Sequence, residues 1–271
     1  MMSVKYVVSL LAVALIGFSI TPSYSTELVS CNGFESCPTN DGDAILALTA
    51  RIAALEALLA DVSRGTDPNT GQETLTFSGM NVQVVDGTGN TDGPPTGTGN
   101  VIIGYNELRG GSLDARTGSH MLVIGRRNNY ISYGGMVVGY ENSASGDYAS
   151  VSGGADNIAS GQHASVSGGQ NNTASGNWSS VSGGASNTAS GGAGTGFSGG
   201  YASVSGGSLN IASGNYASIS GGYGNTASYN GASVSGGQSN EAYGERSSVS
   251  GGNGRTAVAT SCWEGGATVD C

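Results

Sequence analysis

The chain has 271 residues, only 10% of them charged, with 49 glycines and a formal net charge of −10. An ordinary domain is about a quarter charged and about 7% glycine, so without periodicity this composition would mean low complexity or disorder. The acidic balance argues against nucleic acid, which needs clustered Lys and Arg to displace counterions.

Residues 1–25 read as an export signal. Lys5 supplies a positive start, Tyr6 to Ile20 is apolar but short for a membrane span, and Ser23-Tyr24-Ser25 offers small residues for cleavage. An uncleaved anchor is one alternative. A lipoprotein is another, because Leu28-Val29-Ser30-Cys31 resembles a lipobox, although the apolar run ends at Ile20, well short of Cys31. Cleavage removes Lys5 alone among the charges and leaves a still more acidic mature chain, with no transmembrane segment expected. The expected location is secreted or at the cell surface.

Residues 26–42 form an N-terminal segment containing Cys31 and Cys37, and 259–271 a C-terminal cap containing Cys262 and Cys271. An oxidising compartment favours disulfides. The local pairs Cys31–Cys37 and Cys262–Cys271 are the simplest of the three intrachain connectivities. The spacings do not suit zinc, and no histidine accompanies them.

Residues 43–64, "DAILALTARIAALEALLADVSR", form the one strong helical stretch. Ile45, Leu48, Ile52, Leu55, Leu59 and Val62 recur at alternating steps of 3 and 4, an a/d seam of about three heptads. Asp41 or Asp43 can cap the start and Gly65 reads as the stop. In this register Arg51 falls at g and Glu56 at the next e, the positions that bridge strands of a coiled coil. "RIAALE" resembles the Arg-apolar-x-x-apolar-Glu signature of three-stranded coiled coils, so a homotrimer is expected; a helix packed on its own domain is the alternative.

Residues 65–100 read as a linker and N-terminal cover. Within them "LTFSGMNVQVV" (75–85) alternates like a strand, a candidate cover for the coils that follow. "DGTGNTDG" (86–93) places Asp86, Asn90 and Asp92 in a Gly-rich loop, but the flanking helices and closing Glu of a calcium loop are missing, and a plain loop is the better reading.

Residues 101–258 are repetitive. Glycines at 104, 125, 139, 154, 169, 184, 207, 222, 237 and 252 are spaced by 21, 14, 15, 15, 15, 23, 15, 15 and 15 residues. That is a solenoid period, with the two long steps carrying loops. Val or Ile stands three before the anchor from Val151 to Val249, and Ala five after it from Ala144 to Ala257, so these columns point in and their neighbours out. Three after the anchor stands Asn, expected to supply the left-handed corner. The fold expected is all-β: a parallel roll of about ten coils, with a core one side chain thick, preceded by a short coiled coil. "VII" (101–103), "LVI" (122–124) and "MVV" (136–138) are bulky on both faces and need an outer cover.

Coils such as "MVVGYENSASGDYAS" and "VSGGADNIASGQHAS" resemble the head repeats of YadA-type trimeric autotransporter adhesins. The resemblance spans roughly residues 101–258 and implies a left-handed parallel β-roll, three rolls side by side and an adhesive role. The order departs from that family, whose stalk usually follows the head, and "ATSCWEGGATVDC" is too short for its C-terminal membrane barrel. A head module without that anchor is therefore implied.

Catalysis is not expected. His120 and His163 have no Cys or His at ligand spacing, no carboxylate pair recurs, and the abundant serines arise by repetition. No catalytic residue, cofactor or metal is assigned. One column is not bland: Tyr148, His163, Trp178, Tyr201, Tyr216, then Gly231 and Arg246. It lies next to an inward Ala and should face out, as a contact for a glycan, matrix or cell-surface protein, or as packing across a trimer interface. Two other readings remain. Ser152, Ser167, Ser182, Ser205, Ser220, Ser235 and Ser250 form an outward row that would suit an ice-binding solenoid, and a structural fibre subunit without an adhesive role would use the same roll.

Overall fold

The computed structural model describes residues 41–110, 114–192 and 200–265. The export segment 1–25, Cys31, Cys37 and Cys271 fall outside them. The chain divides into two units, the first ending at Asn81 and the second beginning at Val82.

The first unit opens with α1 (Asp41–Leu58), whose Ala-rich sequence favours helix. The helix stops earlier than the heptad pattern predicts. The N–H of Leu59 still donates to Leu55 at 3.1 Å, but that of Val62 donates back to Leu59 at 2.9 Å, closing a turn. The chain then forms β1 (Val62–Thr66), which pairs antiparallel with β2 (Glu73–Phe77). Of the expected seam, Leu59 therefore lies in the turn and Val62 in a strand, while Gly65, read as a helix stop, is mid-strand. The competing element is the hairpin. Asp67 Oδ1 accepts the N–H groups of Asn69 and Thr70 at 2.8 and 2.9 Å. Gly71, at φ 71°, completes that turn. Across the hairpin Arg64 pairs with Glu73. The expected cover strand over 75–85 is thus confined to the end of β2, and residues 78–85 form no strand.

The second unit is a parallel β-solenoid of about nine turns. From β3 (Val101–Ile103) and β4 (Leu122–Arg126) onward, short strands alternate between sheets of eleven and nine rungs. Each strand pairs in parallel with its counterpart one repeat on: Ser150 faces Ser165 and Val151 faces Val166. The irregular steps keep this register, because Val101 faces Leu122 and Ser180 faces Ser203.

The core follows the predicted columns. The Val and Ile column from Val137 to Val249 and the Ala column from Ala144 to Ala257 are 1% exposed or less. A third inward column runs from Ala149 and Ala164 through Ser179 and Ala202 to Ser247. Larger buried side chains, Met121 and Tyr130, occur in the early coils. There residues 86–100 act as the cover: Thr96 N–H donates to Ser119 Oγ and Met121 N–H to Asn100 Oδ1, both at 2.8 Å. Val101, Ile102 and Ile103 nevertheless stay exposed. At the other end the segment read as a cap begins as one more rung. Trp263 and Glu264 pair with Ser248 and Val249, and Cys262 is buried.

The asparagines are more than corner residues. Asn142, Asn157, Asn172, Asn187, Asn210, Asn225 and Asn240 are 0% exposed. In each coil Oδ1 accepts the backbone N–H at the same position of the next coil, which is an Asn except beyond Asn240, where it is Arg255; Nδ2 donates to one carbonyl of its own coil and one of the next. For Asn172 these are Asn187 N–H at 3.0 Å, Gly168 O at 3.0 Å and Gly184 O at 2.9 Å. The left-handed corner expected at Asn falls instead on the residue before it, with Glu141, Asp156, Asn171, Ser186, Leu209 and Ser239 at φ 54–59°.

Candidate functional site

The candidate site is built on a second left-handed corner, at the opposite turn of each coil. The turn Gly161 to Ala164 is closed by Ala164 N–H donating to Gly161 O at 3.1 Å, and His163, its third residue, has φ 56°. Such a position ordinarily selects Gly or Asn. Here Tyr148, His163, Trp178, Tyr201 and Tyr216 all adopt it, at φ 49–58°. A left-handed conformation costs an L-residue roughly 1–2 kcal/mol, and bulky side chains seldom take it.

The rings offset that cost by stacking on one another. Tyr148 lies 5.0 Å from His163, His163 5.3 Å from Trp178, Trp178 5.2 Å from Tyr201 and Tyr201 5.0 Å from Tyr216. The interplanar angles are 6, 16, 5 and 3°. Each stacked pair contributes about 0.5–1.5 kcal/mol beyond area burial, which is of the order of the strain. The structure thus brings together all five aromatic residues picked out in the sequence. Tyr148 and Trp178 are half-buried, while His163, Tyr201 and Tyr216 are exposed.

The ends of the stack differ. At the first, Tyr133 meets Tyr148 edge-on, with centroids 5.3 Å apart at 89°, and a Cβ on Gly134 would come within 2.7 Å of the Tyr148 ring. Tyr148 also donates its hydroxyl hydrogen to Asp92. That bond, with burial and the Asp92 charge, pushes the phenol up to about 12. The staple needs the neutral phenol, so it is full below the ordinary value of 10.0 and is released as pH rises through about 12. Sequence reasoning missed Asp92 and Tyr133 as partners of the stack; Tyr133 stands one residue before the column position Gly134, and so gave no periodic signal. At the other end, Gly231 (φ 67°) interrupts the stack, and Arg246 takes the same corner beyond it at φ 55°.

The loop 86–93 spends its oxygens on itself and on the roll. Asp86 Oδ1 accepts Thr88 N–H at 2.9 Å and Thr88 Oγ1–H at 2.7 Å. These bonds, the backbone one foremost, hold its carboxyl below the usual carboxylate range. Asn90 Oδ1 accepts Asp92 N–H at 3.1 Å. His120 Nε2 accepts Asp86 N–H at 3.3 Å. Among the described residues no group of three His, Cys, Asp or Glu is placed to hold a metal ion.

The candidate trimer residues Ile45, Leu48, Ile52 and Leu55 lie on α1 and are 47–63% exposed in the single chain. Arg51 and Glu56 are exposed beside them. Cys262 is not a free thiol. No helix among the described residues is long and apolar enough to cross a membrane. No protein-family model matches the chain, and no curated protein is significantly similar to it.

Proposed function

We propose that this β-solenoid is an exported, trimeric, adhesin-like structural protein that meets its partner along the aromatic corner and performs no catalysis. The observation that carries this reading is the strain at that corner. Gly134 and Gly231 occupy the same position in other coils, so a coil closes without a ring. Five coils instead hold aromatic rings in an unfavourable backbone conformation and leave three of them exposed. An exposed row of rigid aromatic surface is the kind of feature that anchors interfaces. The resemblance to trimeric adhesin heads supports the same reading, and in an exported chain the four cysteines would be paired.

The test is to replace Tyr148, Trp178 and Tyr216 together with Ser. The expected result is at least a tenfold loss of attachment to glycans, matrix or cells, with a melting temperature lowered by only a few degrees. Unchanged attachment by a folded triple variant would make the column purely structural. The exposed apolar row of α1 supports trimerisation: light scattering should return the mass of three chains, and Asn at both Ile52 and Leu55 should lower it. A monomeric wild type would end the trimer reading.

A further inference from the structure

We propose that the break at Gly231 is a ligand slot that takes one carboxylate-bearing sugar ring, its face on Tyr216 and its carboxylate on Arg246. This rests on the aromatic corner being the contact surface, and it names the ligand class at one place along it.

Tyr216 is stacked on one face only, against Tyr201 at 5.0 Å and 3°. Its other face is turned toward Gly231, which offers no ring, and Tyr216 is 60% exposed. The next side chain in the column is Arg246, two coils on. Parallel rungs are spaced by about 4.8 Å, so the two sides of the gap lie about 10 Å apart. One ring between them would stand about 5 Å from each side, the spacing of 5.0–5.3 Å that the stacked rings already keep. The pyranose face is lined by C–H groups, which suit the electron-rich face of a tyrosine.

The charge specifies the ligand further. The chain carries 9 Lys and Arg against 19 Asp and Glu, so a cation at the edge of the aromatic row is a marked departure. Arg246 is exposed, and among the described residues it makes no ion pair, even with the adjacent Glu245. Its Cγ lies 3.3 Å from where a Cβ on Gly231 would stand, so its stem borders the floor of the slot. A free guanidinium forks onto a carboxylate with two parallel N–H···O bonds, a geometry a neutral sugar cannot supply. The two sides together select a ring that is apolar on its face and anionic at its edge, as in a hexuronate.

Gly231→Tyr provides a variant that should fold. Five residues with aromatic side chains already take this corner conformation, and the added Cβ would press only on the flexible stem of Arg246, at 3.3 Å, with the Arg246 Cα at an ordinary 3.8 Å. The probes are a glucuronate-containing octasaccharide and the same octasaccharide with its carboxyls reduced to alcohols, titrated calorimetrically into the full mature chain. Expected are binding of the first, at least tenfold weaker binding of the second, a similar loss for the first in Arg246→Gln, and loss of binding in Gly231→Tyr at an unchanged melting temperature. Equal binding of the two sugars, no binding of either, or wild-type binding by Gly231→Tyr would overturn the slot. If Gly231→Tyr still attaches to matrix or cells while the triple Ser variant does not, the slot fails and the aromatic corner stands. Retained attachment by the triple variant removes the corner itself.

Discussion

Asn172→Ala should destabilise the roll by about 2–6 kcal/mol, read from urea unfolding followed by circular dichroism. The change removes no large side chain, so the effect is polar. It strands Gly168 O and Asn187 N–H, each now partnered by the Asn172 side chain, and leaves Gly184 O with the Gln170 N–H alone. Each unsatisfied buried group costs about 1–3 kcal/mol, against a total stability of about 5–15 kcal/mol for a typical domain. Asn172→Asp should be at least as damaging at neutral pH, because it keeps the shape but loses both donors and brings a charge into the core. A loss below about 1 kcal/mol for either variant would mean that the ladder is an ornament of the backbone pairing and not a contributor to it.

The second large effect separates two neighbouring glycines. Gly169 has φ +86°, and a Cβ there would sit 2.1 Å from the carbonyl oxygen of Gly184 in the next coil. Neither atom can yield without moving backbone, so Gly169→Ala should cost more than about 4 kcal/mol or prevent folding. Around Gly168 an added Cβ meets nothing within 4 Å. Gly168→Ala should therefore be close to neutral or stabilise by up to about 1 kcal/mol, by restricting the unfolded chain. Thermal melting of the two variants side by side checks this, and similar melting temperatures would contradict it.

These two positions also show what the sequence discloses and what it withholds. The period, the Val and Ala columns and the outward aromatic residues follow from spacing alone, because strand side chains alternate and every coil repeats the pattern. The letters hint at the difference, because the column of Gly169 is Gly in every coil while that of Gly168 holds Ile103, Ile124 and Val138 in the first three; the close approach behind it involves a coil fifteen residues away and is not legible. The left-handed corner is hidden for a related reason. It falls on Glu141, Asp156, Asn171, Ser186, Leu209 and Ser239, a column without a common chemistry. The constant Asn beside it draws attention, yet its task is to satisfy buried backbone groups. The helix end was legible in principle. "DPNTG" at 67–71 is a strong turn signal between two strand-like runs, but Leu59 and Val62 continued the heptad and masked it. The stacking of Tyr148 through Tyr216 was foreseen as a row; its backbone strain was not, because residue type is a poor guide to positive φ when a ring is the occupant.

The whole-repeat register has a genetic consequence. Ser150, Ser165 and Ser180 occupy equivalent rungs, as do Asn157, Asn172 and Asn187. Excision of forty-five nucleotides anywhere in the regular region would rejoin one rung to an equivalent rung. The polar ladder, the glycine contacts and the core columns would all close again around the junction. Unequal recombination between such units can therefore shorten or lengthen the rod in single-coil increments, and each event would reset how many rings stand in the aromatic row.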